Sequence, residues 1–163
     1  MTKRWVVNAS PLIVLAKIGQ IDLLVALADE IAVPNAVERE IIAGPADDPA
    51  RNWLSERKIP IVNLPNLPTE LLAWDLGAGE TAVLAYAMVN SGWTAVLDDN
   101  AARKCARSFG IPIKGTLVVI ILAKQRGLIP SAADLIRQLQ QHDYRIHDTI
   151  VREALEKTVG EQW

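Results

Sequence analysis

The segment Leu76 to Gly115, LGAGETAVLAYAMVNSGWTAVLDDNAARKCARSFGIPIKG, constrains the fold more than any other part of the chain. Ala82, Val83, Ala85, Tyr86 and Val89 recur close to every 3.6 residues, which predicts a helix after Gly79. Ser91-Gly92 stops it. Thr94 to Leu97 is a short apolar run of strand length, and Asp98 and Asp99 follow at its C-terminal end. A second helix and the short strand Ile111-Pro112-Ile113 come next. Pro112 has no N–H to give to a ladder, so its strand belongs at a sheet edge. In open α/β sheets, ligands bind outside the carboxyl ends of parallel strands. Asp98-Asp99, with Glu80 at a helix start, therefore suggest a carboxylate site, and carboxylates suit a hard divalent cation.

The rest of the chain alternates in the same way. Trp5-Val6-Val7 is a strand with Asn8 at its end. Ser10 is a suitable N-cap and Pro11 suits the first position of a helix that runs through Ile18 and ends at Gly19. Asp22 caps a short helix, Leu23 to Leu27. Ile31 to Val33 is a second strand, and Pro34-Asn35 opens a helix through Ile42 that Gly44-Pro45 breaks. Asp48 and Pro49 begin a helix within Asp47 to Lys58. Ile59 to Leu64 reads as a strand and Thr69 to Trp74 as a helical turn. Thr116 caps a strongly apolar helix ending at Gly127, Ser131 caps Ala132 to Gln141, and Asp148 caps the last helix, up to Val159. Strands alternating with crossover helices predict a three-layer α/β/α sandwich with a mostly parallel central sheet. The expectation is one domain over residues 1–163, with C-terminal helices from about residue 131.

Composition narrows the function. Half of the 163 residues are hydrophobic, enough for a full core. The single cysteine, Cys105, excludes an internal disulfide framework and reads as a buried or half-buried small residue. A net charge of −2 provides no global basic field, so any nucleic-acid contact has to be local. Met1 to Arg4 leads straight into an apolar strand with no leader pattern, and Leu117 to Ala123 is too short to span a bilayer. The chain is expected in the cytoplasm, with no membrane partner.

Several residues stand out chemically. Glu38 and Glu40 begin the Pro34 helix but lie roughly 200° apart around it, so at most one faces a site. Helix N-termini favour anions in any case, which offers a plain structural reading of Glu38, Glu40 and Glu80. Gly77 to Ala82 matches G-x-G-x-x-A, but that dinucleotide fingerprint needs a strand directly before it, and Thr69 to Asp75 read as helix and loop. The glycines instead let the backbone turn tightly and bring Glu80 close to the sheet. His142 and His147 are not at the i, i+4 spacing of a helical metal pair and are expected at the surface. Arg103, Lys104 and Arg107 cluster after the aspartates, with Lys114, Lys124 and Arg126 beyond. These are an ordinary solvated face or phosphate contacts on the rim of an acid pocket, which Lys17 would join.

Taken together, VVNASPLIVLAKIGQIDLL, IAVPNAVEREI, LGAGETAVLAYA and AVLDDNAARKCARSFGIPIKGTLVVIILAKQRGLI resemble the PIN domain over Trp5 to about Val159. The resemblance implies a compact α/β/α domain that cleaves phosphodiesters, usually of RNA, with Mg²⁺ or Mn²⁺. It often implies the toxin of a toxin–antitoxin pair, held by a small antitoxin protein, and it is compatible with a homodimer. The functional positions fall on Asn8, Glu40, Glu80 and Asp99, with Asp98 as the alternative ligand. Glu80, Asp98 and Asp99 would hold metal, and Ser10, Lys17, Arg103 and Lys104 would meet substrate. One departure is plain: the opening acid is usually aspartate, and here it is Asn8. The amide keeps an oxygen ligand but loses a negative charge. The second hypothesis is accordingly a catalytically weakened PIN-like module that binds nucleic acid or a protein partner.

Overall fold

The computed structural model describes residues 2–163. Its five strands, β1 (Arg4–Val7), β2 (Glu30–Pro34), β3 (Ile61–Val62), β4 (Trp93–Val96) and β5 (Ile113–Lys114), form one sheet in the order β3-β2-β1-β4-β5. Every pairing is parallel. Successive strand residues point to opposite faces. Trp5, Val6 and Val7 are all buried, as are Ile31, Ala32 and Val33, and Ala95 and Val96. A sheet that is apolar on both faces has to be covered on both, and this produces the three-layer α/β/α arrangement.

The helices are α1 (Ala9–Lys17), α2 (Leu23–Leu27), α3 (Asn35–Ala43), α4 (Pro49–Glu56), α5 (Thr69–Leu72), α6 (Ala78–Val89), α7 (Asn100–Ser108), α8 (Thr116–Gln125), α9 (Ala132–Gln141) and α10 (Asp148–Thr158). Helix α1 packs on α3 and α4, α6 packs on β1, β2 and β4, and α8 packs on α2, α9 and α10. Leu12, Leu15, Leu84 and Ile120 are fully buried. Each such side chain contributes about 1.5–3 kcal/mol relative to exposure. The C-terminal tail is clasped to α9. Glu161 accepts hydrogen bonds from the N–H groups of Ala132 and Ala133 (2.9 Å each) and from the Ser131 hydroxyl (3.0 Å).

The strand order positions the site. From β1 the chain moves outward to β2 and β3, returns to β4 on the other side of β1, and moves outward again to β5. Val7 is registered with Val96, so the ends of β1 and β4 lie side by side at the switch point. The connections leave these two strands in opposite directions, and a crevice opens between them.

Local details differ from the sequence expectations. β3 and β5 are two residues each; β3 is shorter than Ile59–Leu64, and β5 starts two residues and ends one residue later than Ile111–Ile113, although it does lie at an edge. Asn8, not Ser10, is the N-cap of α1, because the helix begins directly after the strand. Pro11 then falls within the first turn, where no intrahelical N–H is required. Gly115, not Thr116, is the N-cap of α8, and His147, not Asp148, is that of α10. Asp22 stands at the N-cap of α2 without a side-chain capping bond; its carboxylate turns to Trp53 Nε1 (2.8 Å) and Arg57 (2.9 Å) instead. Asp48 and Ser131 cap α4 and α9 as expected. A helix precedes the Gly77 motif, not a strand, so the dinucleotide fingerprint lacks its context. Cys105 is fully buried.

Candidate functional site

The N-terminus of α1 sets the floor of the crevice. The Asn8 N–H donates to Val96 O across the switch point (3.0 Å). Its side chain is 3% exposed, and its Oδ1 is the one buried side-chain polar atom without a hydrogen-bond partner among the described residues. An acceptor left in that state costs about 1–3 kcal/mol. In native proteins such an atom is normally met by water, an ion or a ligand.

Glu40 and Asn8 come together at Gly79, in the first turn of α6. A Cβ on Gly79 would stand 2.9 Å from Glu40 Oε2 and 3.2 Å from Asn8 Oδ1. The missing side chain thus leaves room for both oxygens against the first turn of α6. Glu80, in that same turn, folds its carboxylate back over Gly77. Burial, and then the Glu80 charge, hold the Glu40 carboxyl above the usual carboxylate range. Glu40 is therefore the α3 glutamate that faces the site.

The tandem aspartates are each fixed by a different helix. Asp99 is the N-cap of α7, its Oδ2 accepting from the Ala102 N–H (2.9 Å). Asp98 reaches to the start of α8, accepting from the Thr116 N–H (2.8 Å) and the Thr116 hydroxyl (2.6 Å). Neither aspartate is simply solvated, and each carboxylate retains free lone pairs. Arg103 donates from Nη1 to Leu97 O (3.2 Å), and a Cβ on Gly115 would stand 2.8 Å from that nitrogen and 3.0 Å from Asp98 Oδ1. The Tyr144 hydroxyl donates to Asp98 Oδ1 at 3.4 Å. Burial, and then the Asp98 charge, raise the Tyr144 phenol well above its ordinary value.

A cavity of about 280 Å³ gathers Asn8, Ser10, Glu80, Asp98, Asp99 and Asp143, with Tyr144 and Arg145 on its rim. Asp143, Tyr144 and Arg145 were not singled out from the sequence. They follow α9 in a turn where Asp143 takes a left-handed backbone (φ 65°), which Asp tolerates better than most residues. No periodicity points such a turn at a distant strand end. Lys17 is not brought to the cavity: it is exposed at the last residue of α1, about 13 Å along the helix from Asn8. Lys104 is exposed and lies about 100° around α7 from Arg103. His142 and His147 are at the surface.

The donors that meet here are all oxygens, which suits Mg²⁺ or Mn²⁺. Among the described residues, no three His, Cys, Asp or Glu side chains stand together as a group that could hold a metal ion. Mg²⁺ does not need three, since it keeps waters and takes one or two carboxylates plus substrate phosphates. The unpartnered Asn8 Oδ1 supplies a neutral oxygen in the same place. The residues present therefore fit such an ion.

The fold and the crevice define a doubly wound α/β domain with an oxygen-lined site at its switch point. A family model described as a PIN domain matches residues 4–160, and the chain belongs to the PIN-domain family. That is a nuclease-type fold whose members generally depend on divalent metal. No curated protein matches the chain. Among the described residues, no helix is long and apolar enough to cross a membrane.

Proposed function

We propose that this protein is a divalent-metal-dependent endoribonuclease that hydrolyses single-stranded RNA in the cytoplasm. Its setting would be the toxin half of a toxin–antitoxin pair, restrained by a small protein partner. The observation that carries this is the buried, unpartnered Asn8 Oδ1, placed against Glu40 beside α6 and lining one cavity with Glu80, Asp98 and Asp99.

Glu80 and one of Asp98 and Asp99 would hold Mg²⁺ or Mn²⁺, with Asn8 Oδ1 as a neutral ligand. The ion's chemistry, when bound, is to acidify water and to neutralise phosphate charge. Glu40 is suited to accept the proton of an attacking water. Its raised pKa moves it toward the value that serves a general base near neutral pH. Thr116 keeps Asp98 from swinging toward solvent, and Asp99 is held by α7. Ser10 and Arg103 stand where they would meet substrate oxygens.

The test is cleavage of a fluorophore–quencher single-stranded RNA with Mn²⁺. Asp99→Asn keeps an excellent N-cap, so it separates capping from ligation. Asp99→Asn and Glu80→Gln should each lose about 100-fold or more in rate. Undiminished cleavage by Glu80→Gln would overturn the proposal. The neutral Asn8 supports a second reading, a PIN module that binds but does not cut. That reading requires no Mn²⁺ binding in the millimolar range.

A further inference from the structure

The acid cavity does not end at Asp98. A second cavity, of about 320 Å³, shares Asp98, Tyr144 and Arg145 with it and continues along α7 toward α10. Its charge has the opposite sign. Arg103, Arg107 and Arg145 line it, with His147 beside them, against the single carboxylate of Asp98. Among the described residues, none of these three guanidinium groups forms an ion pair, whereas Arg4, Arg57 and Arg137 each do. Asp148, next to His147, accepts from Trp163 Nε1 (3.1 Å). Between the cations lie Leu117, Val118, Ile146 and Ile150, so the trough offers apolar surface and positive charge together.

We propose that this trough binds the backbone phosphates of a single-stranded polynucleotide as the strand leaves the acid cavity. Arg107 and Arg145 hold phosphates, and the apolar wall takes a base. The proposal rests on the reading of the acid cavity as the cleavage site, and it adds where the rest of the strand lies. A polyanion has to overcome the repulsion of Glu80, Asp98, Asp99 and Asp143, and the protein as a whole is acidic. Local cations adjoining the carboxylates meet that need. A site of about 320 Å³, mixing charge with apolar surface, suits one nucleotide and its flanking phosphate. Tyr144 marks the junction, since its hydroxyl is hydrogen-bonded to Asp98 while it lines both cavities.

The experiment measures binding without cleavage. Fluorescein-labelled single-stranded RNA and DNA of the same sequence are titrated with protein in EDTA, by anisotropy, over a series of salt concentrations. Arg107→Ala/Arg145→Ala removes two exposed cations of the trough. Arg126→Ala/Lys157→Ala removes the same charge from the C-terminal ends of α8 and α10. Arg103 is left in place because it also braces Leu97 O. The trough variant should bind about tenfold more weakly. Its log–log salt slope should be smaller by about 1.4, about 0.7 for each lost phosphate contact. The control pair should bind as the wild type does. Equal loss in RNA and DNA supports the proposal, since the two share phosphates and bases; loss confined to one of them would place the contact on the sugar and overturn the assignment to phosphates. An unchanged slope in the trough variant, an equal loss in the control pair, or no binding by the wild type would overturn the proposal. Mn²⁺-dependent cleavage by the wild type is scored separately. If binding depends on the trough but the wild type does not cut, the trough stands and the nuclease reading falls.

Discussion

Asn8→Asp tests the crevice most sharply, because the structure sets the sign of the outcome in two conditions. The new carboxylate would occupy a position that is 3% exposed and holds an acceptor without a donor. Its neighbours at Gly79 include Glu40, whose carboxyl is already raised by burial and by Glu80. A carboxyl raised there from about 3.9 to about 6 costs about 3 kcal/mol at pH 8. For a chain of this length that is roughly 6–12 °C in Tm. The sign follows from the raised folded-state pKa: the penalty is absent below the unfolded value, builds as pH rises toward the folded one and is complete above it. An ion at about 100 times its Kd returns about 2.7 kcal/mol, close to the whole loss. Thermal melts at pH 5 and pH 8, in EDTA and in Mn²⁺, should therefore show the largest deficit at pH 8 in EDTA, about twice that at pH 5. The variant should also bind Mn²⁺ more tightly than the wild type. Equal melting in EDTA at both pH values would show that the side chain does not face the carboxylates. A deficit that Mn²⁺ leaves untouched would show that no ion sits against it.

Glu40→Gln should raise the metal-free melting temperature at pH 8 while abolishing cleavage. The raised Glu40 pKa makes the ionised side chain a liability once pH passes through its folded value, and melts from pH 4 to pH 8 would show the gain appearing with pH. Gly79→Ala places a methyl 2.9 Å from Glu40 Oε2 and should cut the RNA cleavage rate by about 100-fold with little change in circular dichroism. Glu161→Ala removes the clasp on α9 and should cost about 0.5–2 kcal/mol in urea unfolding at pH 7. Burial works to raise the Glu161 carboxyl, but the N–H groups of Ala133 and Ala132, the Ser131 hydroxyl and the Lys124 charge prevail and lower it. The clasp should thus persist above the unfolded carboxylate pKa and fade as pH falls through the folded one, so the variant and wild type should converge in acid.

The parallel sheet and the β1–β4 neighbourhood were legible because buried parallel strands and capped helices carry strong local patterns. The apolar runs at Trp5 and Thr94, each followed at once by a polar residue, placed Asn8 and the aspartates at strand ends. Two of the cap assignments that failed, Thr116 and Asp148, share one cause. A hydroxyl or carboxylate near a helix start has competing partners, and only tertiary structure decides among them: Thr116 gives its hydroxyl to Asp98, a residue from another strand. Asp143 and Arg145 were invisible for a related reason, since a turn after α9 carries no periodic signal of what it will face. Lys17 was grouped with the site by proximity to Asn8 in sequence, but a helix carries its last residue away from its first.

The two outer strands, β3 and β5, are two residues each. A strand added to either edge would find almost no free N–H and C=O groups with which to build a ladder. Two consequences follow. Copies of this chain have little template for stacking edge to edge, despite a sheet that is apolar on both faces. Any protein that restrains this domain would have to recognise side chains on helices or loops, because strand addition, a common mode of peptide capture, finds almost nothing here to extend.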